Sequence, residues 1–260
     1  MPETWKLLLG SAIGTSHERR GEPCQDYAHG REFLVGTSSI LILACADGAG
    51  SASHAQIGAK LACLTFLQAA SLSLDEGLSV SEITQRHVLQ WHEQARRRLS
   101  LEACVCNKEL RDFACTLLTA IVSEDTAVFS QIGDGVIVIR DNDIYKTVFW
   151  PQSGEYANTT FFLSGADFEE RLTFRSVRQR VDELALLTDG LQPLALHYAS
   201  RTVHIPFFDP MFQSLRTTLN AEELDGPFRL FLNSQPVNDR TDDDKTLLLA
   251  TRRLTADERP

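Results

Sequence analysis

Three aspartates stand where an apolar strand gives way to a turn. Asp47 closes the run ILILACAD and precedes Gly48, Asp189 closes LALLTD and precedes Gly190, and Asp243 lies in DDDK just before TLLLA. A carboxylate at the mouth of a buried strand is costly unless it is paired or binds a cation, and a neighbouring glycine lets backbone approach closely. Oxygen donors of this kind suit Mg²⁺ or Mn²⁺ better than zinc. Such edges, drawn from distant parts of one chain, point to a shared divalent-metal centre.

Asp-Gly also has a plain meaning, because it is a favoured pair for tight hairpins. That meaning fits Gly133-Asp134-Gly135, which has strand-like sequence on both sides. It fits Asp47-Gly48 badly, since Ala-Gly-Ser and a helix start follow, and Asp189-Gly190 badly, since Leu191-Gln192-Pro193 follows. Asp242-Asp243-Asp244 alone reads as a solvated acidic loop; beside the other two edges it reads as part of a hard-cation site.

Strands and covering helices must hold these edges in place. Residues 5–14 and 32–46 read as strands, the second as two strands or one bent at Gly36. Ser53-His54-Ala55-Gln56 has the S-x-x-Q pattern of a capping box and opens a largely apolar helix. Ser79-Val80-Ser81-Glu82 is expected to begin a second helix, with the stripe Ile83, Val88, Trp91, Ala95 and Leu99. From residue 112 the period becomes that of strands, and FACTLLTAIV, TAVFSQI, VIVIRD and DIYKTVFW read as an antiparallel meander. Residues 151–180, Asn158 among them, read as a flap or insert, followed by the strand VDELALLTDG. A mixed helical region over 191–235 and the strand TLLLATRR complete a single domain, 1–254, with a polar tail over 255–260. Helices in adjacent pairs rather than in βαβ alternation give an α+β class, with antiparallel sheet covered by helices.

The 260 residues include 35 acidic and 25 basic ones, a net charge of −10. That balance argues against a nucleic-acid or anionic-membrane binder, which would show a basic face. No run reaches the roughly 20 apolar residues that cross a bilayer, and MPETWKLLLGSAIG lacks a signal-peptide layout, so a cytoplasmic location is expected. The six cysteines include a C-x-C at Cys104 and Cys106 with no facing pair, and are expected to be reduced and structural.

Six segments in chain order resemble the 2C-type metal-dependent Ser/Thr protein phosphatases, specifically their shorter bacterial branch. They are GEPCQDY with Asp26, ADGAGS with Asp47, CTLLTAIV with Thr116, QIGDGVIVI with Asp134, LLTDGL with Asp189, and DDDKTLLL with Asp243 and Thr246. The resemblance implies a four-layer α/β-β/α sandwich of two antiparallel sheets flanked by helices, with a binuclear Mn²⁺ or Mg²⁺ centre at one end. It implies that Asp47 bridges two metals, the Gly48 carbonyl binds one, and Asp189 and Asp243 bind the other. Asp26 would hold metal-bound water, and Asp134 with Asp189 would form a third, weaker site. A water activated between the cations would attack phosphorus in line, so the substrates would be phosphorylated proteins, opposing a Ser/Thr kinase. The chain departs from the family at the phosphate-gripping arginine, which usually lies five residues before the aspartate matched by Asp26. Gly21 stands there, with Arg19 and Arg20 just upstream. These two are the candidate phosphate ligands, and His17 is a candidate general acid. A non-catalytic protein keeping the fold and a small-molecule phosphatase are the competing readings; the retained carboxylates count against the first.

Overall fold

The computed structural model of the chain describes residues 5–35, 38–151 and 160–252. Strand β1 (Lys6–Ala12) leads through the short helix α1 (Thr15–Arg20) into the paired strands β2 (Tyr27–Val35) and β3 (Ser38–Ala46). Two long helices follow, α2 (Ala55–Asp75) and α3 (Gln85–Val105). Then come β4 (Leu117–Val122), β5 (Ala127–Ile132), β6 (Val136–Asp141) and β7 (Ile144–Thr147). Beyond residue 159 lie the single turn α4 (Phe168–Arg171), β8 (Thr173–Val177) and β9 (Glu183–Leu187). The remainder holds α5 (Gln192–Ala195), the two-residue strands β10 (Leu196–His197) and β11 (Thr202–Val203), α6 (Ile205–Thr217), α7 (Asp225–Leu232), α8 (Gln235–Asn238) and β12 (Lys245–Thr251).

The long strands form two antiparallel sheets, ordered β1-β12-β9-β6-β7 and β2-β3-β4-β5-β8. Their side chains sort into three apolar interfaces, as four stacked layers require. In β3, Leu41, Leu43 and Cys45 point to the opposite sheet, while Ile42, Ala44 and Ala46 point to α2 and α3. In β9 and β12, Leu184, Leu186 and Leu248 enter the sheet–sheet interface; Ala185, Leu187, Leu247 and Leu249 meet Phe208, Phe212 and Phe228 of α6 and α7. Burial on both faces is why these strands read as unbroken apolar runs. The expected four-layer sandwich is therefore present.

Several local expectations are corrected. Gly133-Asp134-Gly135 is no hairpin, because β5 belongs to one sheet and β6 to the other. The three residues cross between sheets, Gly133 takes φ 104°, and the Gln131 side-chain amide donates to the carbonyls of Gly133 (2.9 Å) and Gly135 (3.0 Å). The meander is thus two hairpins in different sheets. Ser53 does not cap α2: its hydroxyl turns to Asp112 at 3.1 Å, and the N-cap position falls to His54. The Ser79/Glu82 capping box does form, but on a 3₁₀ turn, and α3 starts only after Thr84. Residues 173–177 are an edge strand on β5 rather than flap; Asn158 lies outside the described residues. Finally, α2 is long and apolar enough, by length and composition, to cross a membrane. Its apolar residues serve the core instead: Ala59, Ala62, Cys63, Phe66 and Ala70 are buried against the sheet and α3.

Candidate metal centre

Asp47 follows the last residue of β3, and reciprocal bonds to one residue fix its backbone. Its N–H donates to Thr116 Oγ1 and its carbonyl accepts from Thr116 N–H, each at 2.8 Å. Gly48 must be glycine because the chain passes the start of α2 so closely that a Cβ would sit 2.8 Å from Ala55 backbone atoms. Asp189 opens a 3₁₀ turn at the end of β9. Its neighbour Gly190 is glycine for the same reason, since a Cβ there would lie 2.0 Å from the Asp244 carbonyl oxygen. That close approach brings the ends of β9 and β12 together. Asp134 comes from the sheet-to-sheet crossing, where Thr160 donates to its Oδ2 at 2.6 Å and the Gln192 amide donates to its carbonyl at 2.5 Å. Tyr198 in turn hydrogen-bonds Gln192.

One carboxylate oxygen from each of Asp47, Asp134 and Asp189 lies within 4.8 Å of the other two. Burial, then mutual repulsion, raises their pKa values. Burial pushes Asp189 up to about 8, with the charges of Asp134 and Asp243 adding to it. Asp47 is raised well above the usual range by burial and by Asp26, Asp189 and Asp243; Asp134 is raised chiefly by burial. Asp26 is buried behind them and raised by burial to about 7, although the Thr188 hydroxyl, donating to its Oδ2 at 2.7 Å, opposes the shift. One oxygen each of Asp26 and Asp134 is buried with no hydrogen-bond donor among the described residues. Crowded carboxylates with unsatisfied oxygens are what a hard divalent cation relieves, so the donor set fits such an ion.

Asp243 stands outside this group of three but near enough for its charge to act on Asp47, Asp134 and Asp189. Its Oδ1 accepts the Asp244 N–H at 2.8 Å. Arg20 is half-exposed and paired with Glu22 at 2.8 Å; Arg19 is exposed. His17 does not match the expected general acid: the ring is buried and its Nδ1 is bonded to Asp244 at 2.8 Å. No cysteine belongs to the cluster, and all six are free thiols.

Sequence reasoning missed three participants. Thr188 ties Asp26 to β12, accepting the Thr246 N–H at 3.0 Å while donating to Asp26. Thr160 supports Asp134. Asp244, taken with its neighbours as loop, is buried. The only hint for Thr188 was its place directly before Asp189; nothing in a run of three aspartates separates Asp244 from Asp242.

A carboxylate cluster held across the open end of two packed antiparallel sheets defines a metal-dependent hydrolase of the four-layer sandwich class. The family model of protein phosphatase 2C matches residues 13–228. Serine/threonine-protein phosphatase 3 of Escherichia coli K12 is 37% identical over 252 residues, covering 95% of this chain and 98% of that protein. A bacterial serine phosphatase crystal structure superposes with a TM-score of 0.60 at 16% identity, over 96% of this chain and 99% of the other. The S. agalactiae serine/threonine phosphatase gives 0.60 at 15%, over 95% and 99%. The chain belongs to the protein phosphatase 2C family and is a metal-dependent protein phosphatase.

Proposed function

We propose that this protein removes phosphate from phosphoserine and phosphothreonine in other proteins, using two Mn²⁺ or Mg²⁺ ions, with a third at Asp134 and Asp189. The observation that carries this reading is the convergence of Asp47, Asp134 and Asp189 within 4.8 Å. The relatives' activity supports the Ser/Thr substrate class. Divalent cations bound there supply a nucleophile from water near neutral pH and offset charge on the phosphoryl oxygens. Asp47, the Gly48 carbonyl, Asp189 and Asp243 would hold the ions, with Asp134 beside them. Asp26, oriented by Thr188, accepts hydrogen bonds from water at the centre. Arg19 and Arg20 take the substrate phosphate as guanidinium donors. No side-chain nucleophile is needed, in keeping with cysteines whose thiols burial holds protonated, Cys45 and Cys63 among them. A cytoplasmic site of action is in keeping with the free cysteines, which a reducing compartment maintains, and phosphoprotein substrates imply a Ser/Thr kinase that the protein opposes.

The test is hydrolysis of a phosphothreonine peptide with Mn²⁺ and with chelator. Mn²⁺-dependent turnover is expected, and Asp47→Asn should lower it by more than about a hundredfold, since even outer partners of metal sites are worth about 10- to 100-fold. Turnover unaffected by chelator or by Asp47→Asn would refute the reading.

A further inference from the structure

One buried carboxylate ties the arginine-bearing segment to the acidic turn. Asp244 accepts the Gly14 N–H on Oδ1 at 2.6 Å, and on Oδ2 it accepts the Gln25 N–H at 2.6 Å and His17 Nδ1 at 2.8 Å. An ionised carboxylate only accepts, so Nδ1 carries the proton in that bond. Asp244 thereby gathers the residue capping α1, a residue of α1 itself, and the residue before Asp26. The same turn accepts the Ser16 N–H on the Asp242 carbonyl at 2.9 Å. Gly14 lies so close that a Cβ would come within 2.4 Å of the Asp243 carbonyl carbon. On the other side of the ring, His17 Nε2 lies 3.9 Å from Glu22 Oε2, the oxygen that accepts from Arg20 Nε at 2.8 Å. Gly21, at φ 67°, turns the chain so that Glu22 folds back on the helix it follows, its N–H bonding the His17 carbonyl at 3.0 Å.

We propose that His17 and Asp244 are a positioning pair for the substrate phosphate, holding α1 so that Arg19 and Arg20 meet the phosphoryl group beside the metal centre. This rests on the reading of the centre as a phosphatase site. His17 acts through its neighbours and not on the substrate: the ring is buried, one nitrogen is bonded to Asp244, and the other faces Glu22. The series Asp244, His17, Glu22, Arg20 runs from the residue next to Asp243 out to a half-exposed guanidinium. It accounts for an arginine segment that departs in spacing from the family, because this loop is set by a buried pair rather than by its distance from Asp26.

The test compares wild type, His17→Ala and His17→Asn on a phosphothreonine peptide with Mn²⁺. Calorimetry measures Mn²⁺ affinity, and inorganic phosphate affinity of the Mn²⁺-loaded protein. Asparagine carries an amide N–H close to where Nδ1 stands and keeps the bond to Asp244. His17→Ala should raise KM about tenfold, the worth of one charge-assisted hydrogen bond. It should weaken phosphate binding in step, with kcat and Mn²⁺ affinity unchanged, and His17→Asn should recover most of the KM. The proposal is overturned if KM stays fixed, if kcat falls at constant KM, or if Mn²⁺ affinity falls together with activity. Should His17→Ala not fold, Glu22→Ala on the exposed limb decides, with raised KM at fixed kcat supporting the pair and unchanged KM refuting it. A wild-type protein lacking Mn²⁺-dependent turnover would instead sink the phosphatase reading, which the control reads separately.

Discussion

Single side chains at this centre divide by whether they hold charge or hold the holders. Thr188 is the clearest of the second kind. Its hydroxyl donates to Asp26 and accepts from Thr246 N–H, so one oxygen connects the β9 end, the β12 start and the loop before β2. Thr188→Val keeps the shape and removes both bonds. It should lower kcat about 10- to 100-fold, the range for outer partners of metal sites, and cost about 1–3 kcal/mol in chemical denaturation for the stranded buried groups. Turnover within threefold of wild type would show that Asp26 needs no such support. The clustered carboxylates Asp47 and Asp189 were legible, because they end apolar runs beside glycines that no hairpin explains. Asp244 was not: DDD is uniform in composition, and only the start of β12 at Lys245 and the packing of Gly14 decide which aspartate turns inward. Contacts spanning more than two hundred residues leave no local mark.

Elements were legible where burial imposes a period, and obscure where a turn's partner is distant. The α3 stripe of Val88, Trp91, Ala95 and Leu99 is buried as its spacing predicts. The stripe's neighbour His92 is fully buried as well, edge-on to Phe66 with centroids 5.1 Å apart. Gly133-Asp134-Gly135, by contrast, has hairpin sequence yet joins two sheets, since both flanking strands find partners elsewhere. His92 supplies the prediction at this scale. Its Nδ1–H donates to the Val88 carbonyl at 2.9 Å, Nε2 has no partner among the described residues, and burial lowers its pKa to about 4. The unfolded chain therefore takes up the proton first as pH falls. The stabilisation from a neutral buried His92 is complete above about pH 6.5 and is lost as pH drops toward 4, amounting to about 3 kcal/mol at most. Denaturant titrations of wild type and His92→Phe between pH 7 and 4 should show the steeper acid loss in wild type. Superposable acid branches would mean the ring carries no such penalty.

At the scale of the molecule, the centre is a seam. Asp47 comes from the end of β3 in one sheet, Asp189 from the end of β9 in the other, and Asp134 from the crossing between them. Repulsion among them therefore pushes on the sheet–sheet interface itself, and a cation relieves it. The sign follows from linkage. Asp26 and Asp189 have folded pKa values of about 7 and about 8, above the ordinary carboxylate value, so the native metal-free protein binds more protons than the unfolded chain across that span. Stability from these groups is present at low pH and is lost as pH rises through 7 and 8. His92 acts in the opposite direction but is spent above about pH 6.5, leaving the aspartates to dominate beyond it. Chelator-treated protein should melt at progressively lower temperature from pH 6.5 to 8.5. Mn²⁺ at a hundred times its Kd adds about 2.7 kcal/mol, and because its binding displaces protons from the same carboxylates, its affinity should rise with pH over this range. In Asp47→Asn one repelling charge is gone, so the metal-free decline should flatten, and the Mn²⁺ increment at a fixed Mn²⁺ concentration should shrink. A metal-free protein whose melting temperature is flat or rising from pH 6.5 to 8.5 would show that the seam carries no net repulsion.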